Sequence, residues 1–167
     1  MKMLKQYFSD LLIPVIITIL LTSQTGFAQV NPGIAELTQR SDLIVVGRVN
    51  KVESEWNQDR TRIYSKISVS VNEFLKGQSA GTEISFLQPG GEVGEVGEVY
   101  SDIPRFKKSE NVLLFLEKDK SNNLRVTNGM DGKFSYTVKA ASGEKMIGGR
   151  INLNDFISEI KKNELLH

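Results

Sequence analysis

The longest alternation of apolar and polar residues runs from Arg62 to Gly77, where Ile63, Ile67, Val69 and Val71 are interleaved with Tyr64, Lys66, Ser68, Ser70 and Asn72. Successive side chains of a strand point to opposite faces, so this run predicts a sheet-centre strand with one buried and one wet face. The alternation breaks at Phe74-Leu75-Lys76-Gly77, where Gly77 permits a left-handed turn into the next strand. Upstream, Leu43 to Val52 starts as a continuous apolar run and becomes alternating, the pattern of a strand buried on both faces at one end. Gly47 inside it predicts a bulge or bend of the kind that coils a sheet into a small barrel. Glu53 to Arg60, polar around the single tryptophan Trp56, reads as the loop between these two strands.

Downstream, Glu83 to Gln88 predicts a short third strand ended by Pro89-Gly90-Gly91, and Ser101 to Glu110 reads as a connection over the barrel mouth. The unbroken apolar run Val112 to Leu116 predicts a core strand buried on both sides. Lys118 to Asn123 is a charged turn, Leu124 to Thr127 a short strand, Asn128-Gly129 a turn, Lys133 to Val138 an alternating strand and Ala140 to Gly149 a loop. Ile34 to Arg40 fits a short amphipathic helix. Leu153, Phe156, Ile157 and Ile160 fall at helical spacing behind Asn152, a suitable cap, and predict a closing helix. The expected core comprises Ile44, Val46, Val49, Ile67, Val69, Val71, Ile84, Phe86, Val112, Leu114, Leu116, Phe134 and Phe156.

Met1 to Ala28 stands apart. Lys2 and Lys5 precede the apolar stretch Leu11 to Leu21, and Gly26-Phe27-Ala28 offers small residues for cleavage, so the segment reads as a secretory signal peptide with a single domain over residues 29–167. As a helix the apolar stretch would rise only about 16 Å, too short for a bilayer that takes about 20 residues. The expected location is secreted or periplasmic. The chain has no cysteine, which removes disulfide and thiol chemistry and the acceptor for a bacterial lipid anchor, so no stable membrane anchor is expected after cleavage. Its formal charge is +1, and loss of Lys2, Lys5 and Asp10 leaves the remainder neutral. A neutral chain lacks the long-range positive field that draws proteins onto nucleic acid, so charge argues against a nucleic-acid partner.

The oddest stretch is Gly91 to Val99, the triplet Gly-Glu-Val repeated three times. Period three matches neither strand nor α-helix, so its carboxylates fall on alternate faces of any strand it forms. Calcium loops intersperse Asp, Asn and backbone carbonyls around a tight turn, and this repeat has no Asp or Asn. The expectation is therefore a mobile strand with solvated glutamates that pairs with a guest edge, with Glu92, Glu95, Glu98 and Tyr100 as its candidate contact residues. A second candidate is a ligand patch of Trp56, Arg60, Arg62, Tyr64 and Lys66, basic side chains beside aromatics on the wet face of the organising strand.

Catalysis has little to draw on. The sole histidine is His167 and there is no cysteine, so a Ser-His-Asp triad, a Cys-His dyad and a His-ligated zinc are all unavailable. Carboxylate chemistry needs two carboxyls at a defined spacing, and nothing in the spacing of Glu53, Glu55, Glu73 and Glu83 selects a pair. Gly90-Gly91 lacks the Lys-Ser/Thr and helix of a phosphate loop. No enzyme, cofactor or metal is expected.

Ser41-Asp42-Leu43-Ile44-Val45-Val46-Gly47-Arg48-Val49, Glu73-Phe74-Leu75-Lys76-Gly77, Pro89-Gly90-Gly91, Pro104-Arg105-Phe106, Glu110 to Leu116 and Gly132-Lys133-Phe134 together resemble a family of exported bacterial domains. The resemblance covers Ile34 to Ile160, and that family is in turn similar to OB-fold netrin-like and metalloprotease-inhibitor-like barrels. It implies an all-β, small OB-like barrel of five or six strands with a short N-terminal helix and a C-terminal closing helix. It also implies an exported, non-catalytic binding module, a partner or inhibitor of a secreted hydrolase; a glycan- or nucleic-acid-binding barrel and a carboxylate-dependent hydrolase are the alternatives. The chain departs from the family at Ser109, where glycine is usual before the glutamate. The inhibitors present an N-terminal cysteine to zinc, and this chain has none, so that mechanism does not carry over.

Overall fold

The computed structural model describes residues 33–165, so the signal segment expected over residues 1–28 and the histidine at 167 lie outside the described residues. Helix α1 (Ile34–Arg40) and the long strands β1 (Leu43–Trp56) and β2 (Ile63–Lys76) come first. Then follow β3 (Glu83–Pro89), β4 (Gly91–Val93), β5 (Val96–Glu98), β6 (Asn111–Lys118), β7 (Leu124–Val126) and β8 (Lys133–Val138). Strands β9 (Lys145–Ile147) and β10 (Ile151–Asn152) lead into helix α2 (Leu153–Glu164). Asn152 caps α2 as its position predicts, its side-chain oxygen accepting from the Asn154 N–H at 2.9 Å. Among the described residues no helix is long and apolar enough to cross a membrane.

The molecule is mostly β, and every strand pairing is antiparallel. Its main sheet runs β10-β9-β8-β6-β1-β2-β3, with β7 also paired to β6. The ladders close no barrel: β3 and β10 end an open sheet, and the described residues hold ten strands where five or six were expected. The sheet instead forks along one edge of β6. Residues Asn111 to Leu114 pair with β8, whereas Leu116 to Lys118 pair with β7. The fork sits at Phe115, whose carbonyl accepts from Thr127 N–H at 2.9 Å, and a 3₁₀ turn (Gly129–Gly132) swings the chain from one branch to the other.

Two apolar cores result, one on each face of the strands below the fork. Ile44, Val46, Leu113 and Phe115 point toward α1 and α2, where Leu37, Leu153, Phe156 and Ile160 cover them. Val45, Val112, Leu114 and Leu116 point the other way, into a concave space shared with Ile67, Val69, Ile84 and Phe86. Continuous apolar runs in β1 and β6 are thus double-sided burial: Ile44, Val45 and Val112 through Leu116 are fully inaccessible. Of the expected core all thirteen positions fall in one of these two clusters, with Phe134 only partly buried.

Two expected loops are strand. Glu53 to Trp56 extend β1 and pair with β2 through Glu53↔Lys66 and Trp56↔Ile63. Their inward positions hold Ser54 and Trp56 rather than aliphatic residues, which disguises the alternation. The true turn is tighter, with Asn57 Oδ1 accepting from the N–H groups of Thr61 and Arg62. Within Ala140 to Gly149, Lys145 to Ile147 form β9, too short for period two to register. Gly47 does coincide with a break in register between β1 and β2, as a bulge requires.

Candidate functional site

The triplet repeat folds as a hairpin. Gly91↔Glu98, Glu92↔Gly97 and Val93↔Val96 pair across a two-residue turn at Gly94-Glu95, so each outer glycine faces a glutamate and the third pair is Val on Val. Gly94 takes φ +63°, the positive value that a two-residue turn with glycine at its first central position demands. The first copy makes the outgoing strand, Gly94-Glu95 of the middle copy the turn, and Val96-Gly97-Glu98 the return. This hairpin is a separate two-stranded sheet, docked on β1 and β2. At the dock, Ser65 Oγ donates to Gly90 O at 2.7 Å and so has no second proton to give. Ser54 Oγ must therefore be the donor in its 2.8 Å contact with Ser65 Oγ. A side chain at Gly91 would strike both of these hydroxyl oxygens, which makes glycine a requirement of the dock.

Between the docked hairpin and the strap Ile103 to Lys107 lies a cleft of about 380 Å³ at the mouth of the concave core. Val52, Ser54, Ser65 and Ile67 floor it, Glu92, Glu98 and Tyr100 form the hairpin wall, and Arg105 and Lys107 stand on the strap wall. At its edge Gln88 Nε2 donates to Pro104 O at 2.8 Å. That carbonyl can only accept, so the amide orientation is fixed, and Gln88 Oε1 is left buried with no hydrogen-bond partner. A buried acceptor without a donor costs about 1–3 kcal/mol.

The hairpin wall joins the two sequence-predicted patches at one point. Arg62 Nη1 donates to Tyr100 Oη at 2.5 Å, and Tyr100 Oη donates onward to Glu98 Oε2 at 3.1 Å. The Arg62 guanidinium also lies 5.9 Å from the Tyr100 ring centroid. The Tyr100 hydrogen bond, aided by the charge of Glu98, raises the Arg62 pKa above its ordinary value.

The other predicted residues disperse. Tyr64 and Lys66 lie on the outer face of β2, opposite Glu55 and Glu53 of β1. Trp56 pairs with Ile63 on the inner face and is half-buried, at the far end of β1. Arg60 sits in the β1–β2 turn with φ +53°. Glu92 and Glu98 occupy adjacent registers of the hairpin and so opposite faces, while Glu95 is at its tip. The ligand patch on the wet face is therefore not assembled, whereas Glu92, Glu98 and Tyr100 of the predicted binding strand do line the cleft. Sequence reasoning missed Ser54, Ser65 and Gln88. The only signal was serine at inward positions of two otherwise apolar faces, which marks a spot where something polar must dock. Comparison with known proteins finds no matching family model, no matching curated protein and no matching solved structure.

Proposed function

We propose that this protein is an exported, non-catalytic binding module whose cleft receives a segment of an exported protein, with a secreted hydrolase as the first class of partner to test. The observation that carries the reading is the cleft beside Gln88, a concave space with an unanswered buried acceptor and a charged wall on either side. A peptide segment supplies backbone N–H donors, and the size falls in the range of ligand sites. An OB-like, partly open barrel is the finer architecture we infer. In its support, β7-β6-β1-β2-β3 curl about one core, and β3 and β7 approach within 8 Å at Cα without forming a ladder. Nucleic-acid binding is the weaker alternative, because Arg60, Arg62, Tyr64 and Lys66 share no single surface.

The test is affinity capture from the exported proteins of the source cell, with the mature chain and a Tyr100→Ala, Gln88→Ala variant as parallel baits. The reading expects a hydrolase retained by the first bait and at least tenfold depleted on the second. An eluate with no specific protein, or one retained equally by both baits, rejects it.

A further inference from the structure

On the helix-covered face of the main sheet, the boundary between apolar core and polar surface falls at one register in β1 and β6, where Val46 gives way to Arg48 and Leu113 to Asn111. In β8 the same register holds Tyr136, whose ring belongs to the helix-side core. Ser70 opposes Arg48, Arg48 opposes Asn111, and Asn111 opposes Tyr136. Four side chains thus form one row across β2, β1, β6 and β8, and Glu83 of β3, opposite Ser70, continues it at the β2 end. Three interstrand gaps of about 4.8 Å make the row roughly 14 Å long. Asn50, Asn72 and Lys145 flank it, and together these residues line a shallow depression of about 430 Å³.

Cations outnumber acids here, with Arg48 and Lys145 against Glu83 at the end of the row. Arg48 and Lys145 are exposed and take part in no ion pair among the described residues, and no carboxylate lines the depression. The carboxylate at the end of the row is engaged by Asn50, whose Nδ2 donates to Glu83 Oε2 at 3.1 Å and to Ser70 Oγ at 2.5 Å. With both amide protons used, Asn50 presents its oxygen as a free acceptor, and Ser70, having accepted, still has its proton to give. Asn72, Asn111 and the Tyr136 hydroxyl make no side-chain hydrogen bond among the described residues. Burial raises the Tyr136 pKa, so its phenol stays a neutral donor.

We propose that this row binds an acidic oligosaccharide, with Arg48 and Lys145 holding carboxylate groups of the sugar acid and the amides and hydroxyls pairing with its hydroxyls. Closely spaced groups that both donate and accept suit a polyol, and two unpaired cations supply a charge preference. The length of the row calls for several sugar units rather than one. Single-stranded nucleic acid fits less well: the one aromatic is buried at its ring, with Lys145 Nζ 5.9 Å from the ring centroid, and offers no free stacking face. The row lies on the face of the sheet opposite the cleft floor, so the two sites are separable by mutation.

The experiment is calorimetric titration of the mature chain with tetragalacturonate, maltotetraose and sodium sulfate in turn. Binding of the uronate tetramer that weakens with salt, at least tenfold tighter than the neutral tetramer, is expected. An Arg48→Ala, Lys145→Ala variant should lose at least tenfold in that affinity while its urea midpoint is unchanged, and Arg48→Lys alone should keep part of it. The Tyr100→Ala, Gln88→Ala variant should bind the sugar acid as the parent does, which separates failure of this site from failure of the cleft. No binding of tetragalacturonate, equal binding of maltotetraose, equal binding by the double alanine variant, or sulfate competing at equal affinity would each overturn the proposal.

Discussion

Ser109 holds φ +69°, a left-handed conformation that costs an L-residue about 1–2 kcal/mol and glycine almost nothing. The turn is worth the strain because it lets Ser109 N–H reach Val49 O at 2.8 Å, and through the next residue it starts β6. Ser109→Gly should therefore stabilise the fold by about 0.5–1 kcal/mol after the extra unfolded-state freedom of glycine is subtracted. A rise in the urea midpoint with unchanged slope is the expected readout. The neighbour, Glu110, ties three segments together: its carboxylate accepts from Lys133 Nζ at 2.7 Å, Ser135 Oγ at 2.6 Å and Lys107 N–H at 3.0 Å. Burial pushes its pKa up, but those hydrogen bonds more than offset the push and hold it below the ordinary carboxylate value. A depressed folded-state pKa contributes stability above the unfolded value of about 4.3, and that contribution fades as the pH falls through the lower folded value. Glu110→Gln should consequently be less stable than the parent at neutral pH, with the gap closing on acidification. Denaturation at a series of pH values on both proteins reads this directly, since exposed Asp119 and Glu144 are common to the two.

At the scale of elements, the repeat shows where sequence reading stopped. Period-two runs were legible in β2 and in the inner half of β1, and the unbroken apolar run of β6 signalled double-sided burial, because those patterns record burial directly. The Gly-Glu-Val repeat carries no burial signal, since its residues are exposed or at most half-buried, so its pairing could come only from the turn at Gly94-Glu95. Of the candidate site, Glu98 and Tyr100 were legible as an unusual polar stretch, but the cleft depends on how a hairpin docks over serines distant in sequence. The fork at Phe115 was invisible for the same reason: one edge of β6 serves two partners, and no local pattern records a strand's choice of neighbour. The dock itself is testable. Gly91→Ala places a methyl group against Ser54 Oγ and Ser65 Oγ at a backbone φ of +137°. Hydrogen exchange at Val93 and Val96 should accelerate at least tenfold while amides of β1 and β6 keep their protection, because the hairpin is a separate small sheet. Unchanged protection in the hairpin would show that it is held by something other than this contact.

At the scale of the whole molecule, β1 and β6 belong to both cores at once. Ile44 and Phe115 feed the core under the helices, while Val45 and Leu114, one residue away on the same strands, feed the concave core. Neither core can lose these strands and survive, so the two should melt as one cooperative unit. Trp56 is the sole tryptophan and lies at the far end of β1 on the concave face, paired with Ile63, so its emission follows that part of β1 and β2. Far-ultraviolet circular dichroism near the helix minimum weights α1 and α2, which cover the other core. In urea the two signals should trace one transition with one midpoint. Phe115→Ala, a fully buried ring at the fork, should lower stability by about 3–5 kcal/mol and shift both signals together, although its side chain belongs only to the helix-side core. Two separated transitions, or a shift confined to the dichroism, would mean that the shared strands transmit little and that the forked sheet is two independently folding layers.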